Sequence, residues 1–112
     1  MSERRPSDNQ ASSRQDLSSP DEEIRRTAVT ALAGGTLSET RGLLMDAMGD
    51  RSWRVRKEAV EVFLASAGAE DYAEELFGLL RSPDNAGLRN SSVEVLVRLG
   101  KMAIPIPASH AG

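Results

Sequence analysis

The chain has 112 residues, with 14 Lys and Arg against 17 Asp and Glu, a net charge of −3 and no cysteine. That length gives room for one domain with a modest core. Mild acidity argues against a dedicated nucleic-acid or membrane-surface binder, and the lack of thiols excludes disulfides, thiolate metal sites and cysteine nucleophiles.

Residues 1–18 are rich in Ser, Asp, Asn, Gln and Arg, with Leu17 the only aliphatic residue after Met1. So little apolar surface cannot offset the entropy of ordering, and a disordered N-terminal tail is expected over 1–18. Ser19-Pro20-Asp21-Glu22 then supplies a serine at an N-cap, a proline at the first helical position and acid in the first turn. A helix is predicted from there to about Ala33, closed at Gly34-Gly35 by left-handed glycine geometry. Thr36 to Glu39 has the spacing of a capping box and predicts a second helix to about Met48, with Leu37, Leu43, Leu44, Ala47 and Met48 as its apolar residues.

After the Gly49-Asp50 turn comes the most regular stretch, DRSWRVRKEAVEVFL, Asp50 to Leu64. Val55, Ala59 and Phe63 return to one side of a helix, with Val60 beside them. The same ridge occurs 31 residues earlier as Ile24, Arg25, Ala28, Val29 and Leu32, and 33 residues later as Leu88, Arg89, Ser92, Val93 and Leu96. Three copies at a near-constant period indicate an internal repeat.

Ala69 to Leu80 is predicted as one further helix, with Tyr72, Ala73, Leu76, Leu79 and Leu80 turned inward. Its first turns hold Glu70, Asp71, Glu74 and Glu75, which suit the positive end of the macrodipole and show no calcium-loop pattern. Ser82-Pro83-Asp84 repeats residues 19–21 and opens the third ridge helix, expected to reach Leu99 and stop at Gly100. The ordered region is thus expected over 19–104, with an irregular tail over 105–112, where two prolines interrupt any period.

The pattern Asp-x-x-x-x-Val-Arg-x-x-Ala-Val-x-x-Phe, read from Asp50 to Phe63, resembles a HEAT-like repeat of the short variety found in phycobilisome lyase subunits. The resemblance implies an all-α fold, a right-handed α-solenoid of two and a half to three helical pairs. It also implies that Arg25, Arg56 and Arg89 brace the turns between helices through an aspartate, with Asp21, Asp50 and Asp84 as the local candidates. The small residues Ala28, Ala59 and Ser92 mark where helices approach closely, and stacked pairs share one core that no pair builds alone.

No catalytic constellation is present. The single histidine is His110, and no two-histidine spacing, phosphate loop or dinucleotide turn occurs. A noncatalytic protein-interaction scaffold without metal or cofactor is therefore expected. The alternatives are a regulatory or sensory fragment of a larger HEAT-repeat protein, or a lyase-related HEAT protein. Without an apolar leader or a membrane-length run, a cytoplasmic location is expected.

The binding residues expected are those pointing away from the ridges, which in proteins of this family line the concave face. They are Trp53, Arg54, Lys57 and Glu61, flanked by Arg26 and Asn90. Residues 51–68 sum to +2 and residues 69–80 to −4, so an acidic protein segment is the expected partner. A Glu23–Arg54 pair between repeats, and Trp53 as an inter-repeat packing residue, are the structural readings of the same side chains. Apolar flanks left by so short an array predict weak homodimerisation.

Overall fold

A computed structural model describes residues 14–103, with side chains to Lys101. The expected irregular tail at 105–112 and most of the expected disordered tail, residues 1–13, lie outside the described residues. Among the described residues, a helical turn at 14–17 is followed by five longer α-helices: α1 (Glu22–Ala31), α2 (Leu37–Ala47), α3 (Trp53–Ala65), α4 (Ala73–Leu79) and α5 (Ala86–Ala103). Turns of 3₁₀ helix occupy Leu32–Gly34 and Ala69–Tyr72, and no strand occurs among the described residues.

The ridge helices stack in order. α3 packs on α1 at one side and on α5 at the other, while α2 packs against α3 and α4 against α5. Val29, Val55, Val60 and Phe63 are fully buried, as their shared helical face requires, together with Leu44, Met48 and Leu76 from the second set of helices. The small positions Ala28, Ala59 and Ser92 are all buried. Tyr72 closes the edge of the core by meeting Phe63 edge-on, with ring centres 6.4 Å apart.

Several element boundaries differ from expectation, each for a local reason. Residues 14–17 are already helical and Leu17 packs against the core, so the described part of the 1–18 tail is not disordered. Leu17 lies 31 residues before the fully buried Met48, so this turn stands where the end of α2 stands one repeat later. Ser19 is not the cap of α1. Its hydroxyl accepts from the Asp21 amide, and Asp21 caps the helix by accepting from Glu23 N at 2.8 Å.

α1 closes through the 3₁₀ turn, not through a left-handed glycine. Gly35 is extended, and a side chain there would collide with Thr40 Cγ2 at 2.8 Å. Among the described residues the left-handed one is Gly68, at φ 83°, after α3. Thr36 hydrogen-bonds the Ser38 hydroxyl in place of a backbone amide. The helix expected over Ala69–Leu80 starts as 3₁₀ and becomes α only at Ala73. α5 runs through Gly100, where nothing crowds the chain, to Ala103.

The third repeat carries one extra residue. Its ridge falls 64 residues after the first, but Ser82-Pro83-Asp84 falls only 63 after Ser19-Pro20-Asp21. The cap therefore passes from Asp84 to Asn85, whose Oδ1 accepts from Leu88 N. Its Nδ2 donates to Gly49 O at 3.1 Å, and the Ser91 hydroxyl donates to Met48 O at 2.8 Å. Both bonds fasten α5 to the turn between α2 and α3.

Candidate interaction surface

The face of interest is fixed by the turns that start the ridge helices. Each ridge arginine donates to a carbonyl just before its own helix: Arg25 to Ser19 O, Arg56 to Asp50 O and Arg89 to Ser82 O. Arg25 also grips Asp50 of the next repeat with two bonds, Nε to Oδ2 at 3.0 Å and Nη2 to Oδ1 at 3.2 Å. The bracing aspartate is thus Asp50 alone. Asp21 serves as a cap, and Asp84 takes no part. Arg56 lies across Gly87, where any Cβ would come within 2.9 Å of its Cδ.

Asp50 Oδ1 also accepts from Ser52 N, and Ser52 Oγ accepts from Arg54 N, which sets Trp53 as the first residue of α3. Trp53 is 63% exposed, the most exposed large apolar side chain described. It is not the inter-repeat packing residue considered from the sequence, because a ring so exposed has little of its surface packed against another repeat. Two open hollows flank it. One, about 600 Å³, lies beside Pro20, Glu22, Arg25, Arg51, Ser52 and Arg54. The other, about 180 Å³, lies between α3 and α5 beside Arg56, Lys57, Val60, Asn90, Ser91 and Glu94.

The charges around these hollows are largely matched. Lys57 Nζ lies 3.4 Å from Glu61 and 3.9 Å from Glu94. Arg98 bridges the same two carboxylates, reaching Glu61 Oε1 at 3.2 Å and Glu94 Oε2 at 3.1 Å. The Arg98 hydrogen bond holds the Glu61 carboxyl below its ordinary range, aided by the nearby Lys57 charge, and Glu61 in turn raises the Arg98 guanidinium. Arg54 stacks toward Trp53, with its guanidinium 5.9 Å from the ring centre. Among the described residues, Arg51 has no ion-pair partner.

Of the expected binding residues, Trp53, Lys57 and Asn90 share the smaller hollow, and Arg54 joins Trp53 at the larger one. Glu61 lines neither and anchors Arg98. Arg26 also stands apart, bonded to Glu23 at 3.0 Å. The expected Glu23–Arg54 pair is replaced by a loose Glu22–Arg54 approach of 3.9 Å, since Glu23 has turned to Arg26. Arg51, Glu94 and Arg98 were not among the expected binding residues. The signal for Arg98 is helical spacing, since it lies two four-residue steps beyond the expected Asn90 on α5.

The family model for HEAT repeats matches residues 14–97. The chain belongs to the HEAT-repeat family. The match begins at the helical turn that carries Leu17, so that turn is part of the HEAT array and not a leader to it. No curated protein and no solved structure gave a match. No helix among the described residues of this HEAT-repeat chain is long and apolar enough to cross a membrane.

Proposed function

We propose that this HEAT-repeat chain is a noncatalytic protein-interaction module that binds its partner along the α3 edge, with Trp53 as the anchor. The carrying observation is the exposure of Trp53 between two hollows, on a helix whose own ridge residues Val55, Ala59, Val60 and Phe63 are buried. An aromatic held in water by a capped, rigid helix start loses little freedom on binding and brings a large apolar contact. Such modules act by surface complementarity, which suits a site made of paired charges beside an exposed aromatic.

An acidic segment remains the partner chemistry favoured, with Arg51 and Arg54 as its cations, because Lys57 already faces two carboxylates. We read the array as a right-handed solenoid of two and a half to three short repeats of the phycobilisome-lyase type, with the ridge helices on its concave side. The 31- and 33-residue spacings support that reading.

The test is affinity capture from the native host with wild-type and Trp53→Ala baits, followed by measured binding of the captured protein. Trp53→Ala should reduce affinity by about tenfold or more, a loss above about 1.4 kcal/mol. Its unfolding free energy should stay within about 0.5 kcal/mol of wild type, as for an exposed site. Equal capture by both baits would remove the anchor role.

A further inference from the structure

Because the helices repeat, each exposed position at an end has an internal counterpart whose burial can be compared with it. At the α4–α5 end, Phe77, Val93 and Val97 are 57%, 47% and 50% exposed. Val93 and Val97 correspond to Val60 and Leu64, 33 positions earlier, and Phe77, which precedes the inserted residue, corresponds to Met45, 32 positions earlier; these are only 1%, 8% and 6% exposed. Inside the chain the α3 part of that flank is covered by the next ridge helix, α5, and Val60 borders Asn90 and Ser91 there.

The opposite end shows the reverse side of the same contact. Ile24 of α1 is 44% exposed, whereas Val55, 31 positions later, is fully buried. Ala31 is exposed, whereas Val62, at the same offset, is buried. The two ends of one molecule therefore carry the two sides of an interface that the chain already builds within itself, twice.

We infer that the α4–α5 end docks a second copy of this chain through that copy's α1 end, so that copies stack head to tail in the register used inside each chain. The second copy is the occupant because its α1 face places Ile24 and Ala31 at the helical positions where Val55 and Val62 lie buried in α3. Pairing two α4–α5 ends with each other would set the same flank against itself, a contact with no counterpart inside the molecule. A head-to-tail contact does not close on itself, so it extends into an open array. It leaves the Trp53 edge untouched and is independent of the function proposed for that edge.

The experiment is sedimentation velocity over a concentration series of wild type, Ile24→Glu and Val97→Glu, with circular dichroism melts to establish folding. Wild type should rise past twice the monomer mass as concentration increases. Each variant alone should remain monomeric. Their equimolar mixture should form a dimer and stop there, since the pair keeps one intact α4–α5 end and one intact α1 end. Val93→Lys replaces Val97→Glu if the latter melts early. Dimers of Ile24→Glu alone would overturn the inference in favour of a symmetric contact. Wild type that stays monomeric at the highest concentration would overturn it in favour of an end covered within the chain.

Discussion

At the scale of single residues, the buried Arg25–Asp50 pair decides how two repeats are fastened. Arg25 is 4% exposed and Asp50 12%, so neither charge can fall back on water if its partner is lost. Asp50→Ala should cost about 3–5 kcal/mol in urea unfolding, because it strands a buried guanidinium. Asp21→Ala should cost only about 0.5–2 kcal/mol, the loss of a helix cap. Equal costs would assign the brace to both aspartates. The sequence placed an arginine and an aspartate in each repeat but could not say which pairs met, because Asp50 is 25 residues from Arg25 and only stacking joins them.

Glu61 gives a second residue-level outcome. Its folded pKa is depressed, chiefly by the Arg98 hydrogen bond, so its contribution to stability is fully present above the ordinary glutamate value, about 4.3. That contribution is lost as pH falls through the lower folded value. In carboxyl-detected NMR titration, Glu61 should titrate below the ordinary glutamate value, and Arg98→Gln should move it back up. No shift in Arg98→Gln would deny the bond.

At the scale of the element, α5 shows how a repeat tolerates a flawed copy of its pattern. Ser92 occupies the position held by Ala28 and Ala59, and its hydroxyl is buried with no hydrogen-bond partner. An orphaned hydroxyl costs about 1–3 kcal/mol, so Ser92→Ala should stabilise the protein by an amount in that range. A destabilised variant would show that the hydroxyl has a partner in solution. The ridge periods, the five longer helices and the buried small positions were all legible in the sequence, because a 3.6-residue pattern is local. The exact caps were less so. The one-residue insertion before α5 was visible as the mismatch between 63 and 64, yet its effect, the transfer of the cap to Asn85, depends on Gly49 O lying within reach.

At the scale of the whole molecule, the candidate surface was legible as a row of outward residues but not as a set of hollows. Trp53 and Lys57 follow from helical spacing. Their relation to Asn90, Glu94 and Arg98 depends on how α5 is set against α3, which no single helix reveals. The same stacking order predicts how the molecule opens. A HEAT array is close to one-dimensional, so the stability of each helix reflects the neighbours it has. α3 has α1, α2 and α5 around it and supplies Val55, Ala59, Val60 and Phe63 to the core, whereas the seven-residue α4 leaves Phe77 in water. Native-state hydrogen exchange should therefore find the slowest amides in α3, opening only with global unfolding. The amides of α4 should exchange through a smaller, local opening, at a free energy that denaturant barely changes. Protection in α4 equal to that in α3 would mean that the array unfolds as a single unit, and that the Phe77 edge is held by something more than the contacts of one chain.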